Sequence, residues 1–494
     1  MTLNPNAFGP SAGLIPAEPF RYTEPVEAAP AEPSTRSYLI QLTLVGAVCG
    51  LIAGASLIAG LIGPGLMVIG LIFVGLTLWR VEMGLFIMAA LVPWELQTLI
   101  TPQISMIKAM GIIVAGIGLM KVFVSRGTPW PGMMKWALAL GVWSTVSGIF
   151  NLSEPVMFYI LSWATLLSNI AFMYLLMRFC STPGAFRTLV WMVALSSVSA
   201  AVVGLMEYAT PGLQARMHMG RLTTGTNANT YVRFLLPGIF LIPLLIPGVR
   251  SQLLRLALLP GIVFCIVAVV LTGSRGAALG AAAGALTMIL CTRRIPLGTR
   301  IGLIVGLGLV AGGAYYFAMH LGAQATWQKR TEESSVQGAA NIRIERWALA
   351  LSMAADNPIL GVGHGAQEGF AYVQKGYYWT ESHNDVISSV IQGGFPGGVC
   401  FVGFLFAVFW GIWRLPPGIM KATLMGMWMA FVITGMFNPS LNKKVFWLAA
   451  GVISAAMVVH RSHSSAHPSG DETPPDTDGF SPPPVPYALP PADR

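Results

Sequence analysis

Charged residues are scarce in this chain. Only 10% of the 494 residues are Asp, Glu, Lys or Arg, whereas 54% are hydrophobic. A soluble globular protein carries roughly 25% charged residues. Apolar runs of about twenty residues recur from Tyr38 to His460, and helices of that length cross a hydrocarbon core about 30 Å thick. The composition therefore excludes a soluble domain and predicts an all-α, polytopic transmembrane helical bundle.

Other absences narrow the class of protein. The apolar runs do not alternate with polar residues, which excludes a membrane β-barrel. The basic residues are spread over many short loops, so the net charge of +9 predicts no nucleic-acid partner. No metal-ligand spacing occurs in the polar segments, and we expect neither a metal nor another cofactor. None of the cysteines forms a Cys-x-x-Cys pair, and all are interpreted as packing residues: Cys49, Cys180, Cys265, Cys291 and Cys400.

The apolar runs divide the chain into five regions. Candidate spans number about fourteen, and two short glycine-rich runs lower the expected range to 12–14. No basic region precedes the first run, so we expect an uncleaved anchor. The predicted regions are a disordered tail (1–37), an N-terminal transmembrane bundle (38–320), a large periplasmic loop (321–394), C-terminal transmembrane helices (395–460) and a disordered proline-rich tail (461–494).

The distribution of Lys and Arg predicts the orientation. Short loops on one side carry most of these residues, and this positive-inside bias places both termini in the cytoplasm. The outer face then receives residues 210–229, the turn Gly273–Arg275 and the long loop 321–394. Several arginines remain on this outer side against the bias. An anionic substrate at the outer face would explain them.

Residues 341–356 of the long loop predict an amphipathic helix. Ile344, Trp347, Leu351 and Ala355 fall on one side at helical spacing, and this side is expected to lie on the membrane surface. Asn357-Pro358 ends the helix. A flexible glycine turn, Gly361-Val-Gly-His364-Gly365, is predicted to follow. The polar side of the helix supplies Arg343 and Arg346 as supporting candidates for a site.

Arg275 stands in the motif Thr272-Gly-Ser274-Arg275-Gly276. It is either an interfacial arginine that snorkels to lipid headgroups or a guanidinium fork for phosphate oxygens. The adjacent glycines and Ser274 begin a predicted helix, where free N–H groups favour an anion.

Arg221 lies among hydroxyl and amide side chains in residues 220–230, without acidic neighbours. It is either an ordinary loop residue or part of a cleft for sugar or phosphate. Arg216 and Arg233 are weaker candidates for the same task.

His383 is the candidate for acid–base chemistry. Its surroundings predict either a simple helix N-terminus or a general base near neutral pH. His364 is the rival histidine. The side chains that would cap the helix, orient the ring or share the proton transfer are Glu381, Ser382, Asn384 and Asp385.

Three segments, in order, resemble the O-antigen ligase and O-antigen polymerase superfamily. They are Leu271-Thr-Gly-Ser-Arg-Gly-Ala277, the stretch from Arg343 through Trp347 to Gly363, and Glu381-Ser-His-Asn-Asp385 with the following Gly393-Gly-Phe-Pro-Gly397. The resemblance is sharp over about 205–400, and the earlier spans match only in hydropathy. A histidine in the Gly-Val-Gly turn departs from the pattern.

The resemblance implies a metal-independent, inverting glycosyltransferase of the bacterial inner membrane. The donor would be a glycan on undecaprenyl diphosphate, and the acceptor lipid A–core, another lipid-linked glycan or a protein. Carried over to this chain, Arg275 and Arg221 would bind the diphosphate, and His383 would take the acceptor's proton. Ligation is the preferred prediction. A polymerase of the same superfamily and, in a different class, an anion transporter are the alternatives.

Overall fold

The computed structural model describes residues 33–58, 62–98, 105–124, 130–151, 156–210, 222, 227–292, 296–318, 336–365 and 382–466. Within these ranges the chain is helical and contains no β-strand, which confirms the all-α fold predicted from the apolar runs.

The α-helices of the described ranges are numbered here in chain order. They are α1 (Thr35–Ile58), α2 (Ile62–Trp79), α3 (Val81–Leu91), α4 (Met106–Val124), α5 (Gly132–Phe150), α6 (Val156–Phe179), α7 (Pro183–Ala209), α8 (Ala228–Leu245), α9 (Gln252–Leu271), α10 (Arg275–Cys291), α11 (Leu297–Ala318), α12 (Val336–Asp356), α13 (Asp385–Trp413), α14 (Ile419–Gly435) and α15 (Lys444–Ala466). A 3₁₀ helix at Val92–Thr98 extends α3.

The outer surface of the bundle is apolar. In the described part of the chain, nine helices are long and apolar enough to cross a membrane, and three shorter apolar helices accompany them. Phe123, Val124 and Leu253 are 88%, 90% and 79% exposed. Large apolar side chains are exposed on most of the described helices, which indicates lipid as the surrounding solvent. The chain is a multi-pass membrane protein.

Three helix boundaries differ from the predicted regions. Helix α1 begins at Thr35, inside the predicted tail, and its Thr35 hydroxyl donates to the Gly184 carbonyl. Helix α15 continues to Ala466, past the predicted end at 460. Helix α13 begins at Asp385 rather than at 395, because Asn384 caps it there. Residues 385–394, predicted as loop, are therefore helical.

Contacts between helix ends define one end of the bundle, which we call the Arg187 end. Here the guanidinium of Arg187 at the start of α7 packs against Gly248, after the end of α8. The start of α1 is bonded to the start of α7, as above. Lys121 near the end of α4 donates to the carbonyl of Leu78 near the end of α2, with 2.6 Å between nitrogen and oxygen. This grouping agrees with alternating helix directions.

The opposite end, which we call the His383 end, gathers the predicted outer segments. Leu222, immediately after Arg221 in sequence, donates its backbone N–H to the carbonyl of Leu271 at the end of α9 over 3.4 Å. Residues 436–443, between α14 and α15, contact the starts of both α10 and α13. The three predicted motifs therefore belong to one end.

A stripe of glycines brings α10 close to α14. Gly276, Gly280 and Gly284 recur every fourth residue, and an added Cβ would collide at each of them. At Gly284 that Cβ would lie 2.5 Å from the carbonyl oxygen of Gly426. Small residues at this spacing let membrane helices approach backbone to backbone. The stripe fixes the helix that begins with Arg275.

Helix α13 is broken near its middle. Gly394 has a φ of +66°, outside the helical range, and Pro396 follows it. The break frees backbone groups that an unbroken helix would satisfy. The segment 357–365 uses them: the N–H of Val362 donates to the carbonyl of Ile391 over 2.8 Å.

Helix α5 also hydrogen-bonds to the residues where the 357–365 segment meets the break in α13. Ser147 Oγ lies 2.6 Å from the carbonyl oxygen of Leu360 and 2.9 Å from that of Gln392. Trp143 Nε1 donates to the carbonyl of Gly393 over 2.6 Å. The turn predicted at 361–365 is present, and the break in α13 offers it hydrogen-bonding partners.

Helix α12 confirms the predicted helix over 341–356, and a different face from the one predicted to meet the membrane packs on α13. Ala350 and Met353 are fully buried against α13, whereas Ile344 and Leu351 are 59% and 53% exposed. Trp347 was predicted to anchor the helix in the membrane surface. Its indole Nε1 instead donates to the carbonyl of Ser382 over 2.9 Å. Helix α12 thus braces the residues before α13.

Candidate active site

His383 has an unusual backbone conformation. Its φ of +54° is the one positive φ of a non-glycine residue in the described part of the chain. Such conformations carry strain and persist where neighbouring contacts fix them. Two contacts do so here. Trp347 holds the carbonyl of Ser382, and Asn384 Oδ1 accepts from the N–H groups of Val386 and Ile387 at 2.9 and 3.1 Å.

The side chain of His383 meets Arg346. Arg346 Nη1 lies 2.9 Å from His383 Nε2. A guanidinium has donors only, so the ring nitrogen must accept. The imidazole is therefore neutral, with its proton on Nδ1. This contact joins helix α12 to the start of α13 and fixes the ring's tautomer and direction.

Asp385, two residues later, is buried and faces the 436–443 segment. Its Oδ1 accepts from the backbone N–H of Ser440 at 2.5 Å and of Leu441 at 3.1 Å. Its Oδ2 accepts from the Ser440 hydroxyl. A buried carboxylate must have such partners. Asp385 therefore ties the first turn of α13 to this segment.

Arg233 on α8 supports the same segment from below. It is fully buried and donates to the carbonyls of Asn438 and of Pro439, the latter over 2.7 Å. Its guanidinium also acts electrostatically on Asp385. The sequence made Arg233 a weak candidate for substrate phosphate. Its position indicates that it holds the segment in place.

Arg275 begins α10 and is exposed, whereas the preceding Ser274 is 7% exposed. The Ser274 side chain makes no capping hydrogen bond to the first turn of α10. The first N–H groups of the helix thus lack that usual acceptor. Gly276 packs against Phe437 of the 436–443 segment, with an added Cβ only 2.5 Å from Phe437 Cβ. One segment therefore links the Arg275 helix to the helix that follows His383.

His364, the rival histidine, is 1% exposed. Its Nε2 lies 2.9 Å from Asn442 Oδ1, and Asn442 Nδ2 donates to Ser162 Oγ over 3.0 Å. Since the Asn442 nitrogen is already a donor to Ser162, its oxygen accepts from His364. Burial lowers the pKa of His364 from 6.5 to about 4, and the bond to Asn442 only partly opposes this shift.

Three candidate residues lie outside the described residues: Arg216, Arg221 and Glu381. Arg343 lies in α12, but its side chain is likewise outside the description. Among the residues that are described, no group of three or more His, Cys, Asp or Glu side chains is arranged to hold a metal ion.

Sequence reasoning missed the role of the 436–443 segment. Asn438-Pro-Ser440 is a polar stretch between two apolar runs, and Lys443 and Lys444 are basic residues on the predicted outer face. These signals mark a segment at the interface. They do not reveal that Ser440 binds Asp385, because that contact joins residues far apart in sequence.

The fold and this end of the bundle define a multi-pass α-helical membrane protein that presents arginines, a fixed histidine and a broken helix together. Residues 260–402 match the family model described as O-antigen ligase, a range that includes Arg275, Arg346 and His383. This match confirms the predicted resemblance to the O-antigen ligase and polymerase superfamily. Over this range the chain is similar to O-antigen ligases. No curated protein matches the chain significantly.

Proposed function

We propose that this protein transfers a glycan from undecaprenyl diphosphate to an acceptor hydroxyl at the periplasmic face of the inner membrane. The family match supports lipid-linked glycan substrates in a membrane setting. The observation that carries the proposal is the fixed ring of His383 at the same end of the bundle as Arg275. A base and an anion-binding group at one membrane face suit transfer from a diphosphate.

The donor diphosphate binds at Arg275 and Arg221 in this proposal. Arg275 offers an exposed guanidinium beside the uncapped first turn of α10, and both groups favour phosphate oxygens. Leu222, the neighbour of Arg221, is bonded to Leu271 just before the Arg275 motif. This contact supports a shared task for the two arginines.

The acceptor hydroxyl meets His383. The imidazole takes the hydroxyl proton while the oxygen attacks the anomeric carbon from the face opposite the diphosphate. The bond between that carbon and the diphosphate oxygen breaks, and undecaprenyl diphosphate leaves with the electron pair. The arginines stabilise its developing charge, which is the role a metal ion has in other transferases. Configuration at the anomeric carbon inverts.

Proton transfer requires a free nitrogen lone pair on His383. In the structure Nε2 lies 2.9 Å from Arg346 Nη1. Because a guanidinium only donates, Nε2 must accept from it, which leaves the ring proton to Nδ1. Arg346 must therefore turn away from Nε2 before this nitrogen can accept the hydroxyl proton. The acceptor hydroxyl then replaces the guanidinium as the hydrogen-bonding partner of Nε2.

The test is transfer from a defined lipid-linked donor by purified variants in proteoliposomes. His383→Ala should lose about 10²–10⁴-fold in rate, the usual contribution of a general base. Arg275→Ala should lose a comparable amount. Arg414→Ala is the matched control, because Arg414 stacks on Trp410 at the opposite end of the bundle. Near-normal transfer by well-folded His383→Ala and Arg275→Ala would overturn the proposal.

The acceptor decides between the members of the superfamily. Lipid A–core, a second lipid-linked glycan and a protein are offered in separate reactions with the same donor. Transfer to lipid A–core supports ligation, and chain extension supports a polymerase. Uptake of a labelled anion without transfer to any acceptor would support the transporter alternative instead.

A further inference from the structure

A groove lies at the Arg187 end, remote from the proposed active site. It encloses about 610 Å³ between α1, α7 and the start of α9. Most of its wall is apolar, and the apolar side chains that line it are Leu39, Ile40, Leu44, Trp191, Val249 and Leu254. A groove with such walls, open to the bilayer, fits an acyl chain.

Three arginines stand at the polar end of this groove: Arg36, Arg187 and Arg250. Arg36 and Arg250 are exposed, and no acidic side chain is among the described residues that line the groove. The guanidinium of Arg187 packs against Gly248, where a larger residue would displace it. The groove therefore has apolar walls and a positively charged end formed by the three arginines.

A second groove adjoins the first. It encloses about 390 Å³ and shares Arg187 and Gly248 with its neighbour. Its wall is also mainly apolar, with Phe186, Val190, Leu244, Met420 and Val459 among the lining residues. Arg187 therefore lies where the two apolar grooves meet.

Simple snorkelling of arginines to the membrane surface does not explain this arrangement. Snorkelling side chains extend freely along a helix. Arg187 instead packs on a glycine between two grooves, and two further arginines from separate elements face the same volume. Basic pockets between membrane helices on the cytoplasmic side bind acidic lipid headgroups.

We propose that the two grooves form a binding site for one anionic phospholipid with two acyl chains. The headgroup phosphate lies at Arg36, Arg187 and Arg250, and one chain enters each groove. Only 6% of the membrane-spanning part of α1 is buried by the rest of the protein. The lipid therefore adds contacts between α1 and the helices α7 and α9.

The test measures lipid binding to the purified full chain by native mass spectrometry. The probes are phosphatidylglycerol and phosphatidylcholine with identical chains. The double variant Arg36→Gln/Arg250→Gln changes two exposed side chains, so its folding should be unaffected. Its affinity for phosphatidylglycerol should fall about fivefold per arginine removed, the contribution of one basic residue near an anionic surface. Its affinity for phosphatidylcholine should not change.

Two further variants keep the result unambiguous. Thr43→Trp fills the first groove from an exposed position and should reduce binding of both lipids. Arg414→Gln removes an arginine outside both grooves and should bind as the parent does. Equal affinity of the parent for both lipids, unchanged affinity in the double variant, or an equal loss in Arg414→Gln would each overturn the proposal.

Discussion

A single side-chain contact sets the resting state of the candidate base. His383 is held with a positive φ by its neighbours, and Arg346 directs the ring from α12. Arg346 and His383 are far apart in sequence, but the hydrogen bond between them makes the tautomer of His383 depend on Arg346. In the proposed mechanism Arg346 is therefore a positioning residue, whereas His383 would contact the acceptor.

Changing Arg346 separates orientation from charge. A glutamine amide can still donate to His383 Nε2, but it has no positive charge. If Arg346 acts through the ring, Arg346→Ala should lower kcat/KM about 10²-fold, the typical cost of misplacing a reacting group. Arg346→Gln should recover most of that loss. Steady-state kinetics with a lipid-linked donor measure both.

Glu345→Gln is the matched control, since Glu345 is the exposed neighbour of Arg346 on the same helix. It should leave kcat/KM unchanged. Equal losses in Arg346→Ala and Arg346→Gln would contradict the positioning role and favour direct binding of the diphosphate by Arg346.

His364 makes stability depend on pH. Its folded-state pKa of about 4 lies below the unfolded value of 6.5, so the unfolded chain binds more protons between these values. The contribution of neutral, buried His364 to the free energy of unfolding is complete above about pH 6.5. It is lost as the pH falls toward 4, by up to about 3 kcal/mol. His364→Gln should flatten that loss in melting curves from pH 7 to 4. An unchanged acid loss in the variant would refute this origin.

At the residue scale, residue type and motif were enough to identify His383 and Arg275 as candidates. They did not predict which residues these two side chains contact. Asn384 was recognised as a possible cap because Asn is favoured there. The pairing of Arg346 with His383 was not, since it depends on how α12 packs against α13. The burial of His364 was missed for the same reason, because its turn is held by hydrogen bonds to residues beside the break at Gly394.

At the scale of elements, close packing of α10 on α14 positions Arg275. Gly280→Ala tests it, because the added Cβ would meet Thr434 Oγ1 and lie 2.8 Å from the Ala430 carbonyl oxygen. Such overpacking typically costs 1–3 kcal/mol. We expect a lower melting temperature and reduced transfer.

The control for this change is Gly306→Ala on α11, where an added Cβ has no atom within 4 Å. It should be neutral or slightly stabilising, since alanine favours a helix over glycine. A melting temperature for Gly280→Ala equal to that of Gly306→Ala would show that the two helices tolerate separation.

Helices were easier to predict than their faces and ends. Apolar runs of about twenty residues marked each membrane helix, because burial in lipid requires that length. The start of α13 was misplaced because the Gly393-Gly394 break divides it into a short polar half and a long apolar half. On α12, the more apolar side of Ile344 and Leu351 is exposed, whereas the small residues Ala350 and Ala354 pack. Periodicity alone does not distinguish lipid from protein as the apolar partner.

At the scale of the whole molecule, the two proposals assign separate tasks to the two ends. Arg275 and His383 gather at one end, and the arginine-lined grooves lie at the other. With the predicted orientation, the proposed donor glycan would bind at the outer face and the proposed anionic lipid at the inner face.

Sided labelling tests that orientation in intact cells. Asp356 at the end of α12 and Ser462 near the end of α15 are exposed at opposite ends of the bundle. In a cysteine-free background, Asp356→Cys should react with a membrane-impermeant maleimide from outside, because the positive-inside bias places that end in the periplasm. Ser462→Cys should react only after the membrane is opened. The reverse pattern would place His383 and Arg275 in the cytoplasm, where a periplasmic glycan could not reach them.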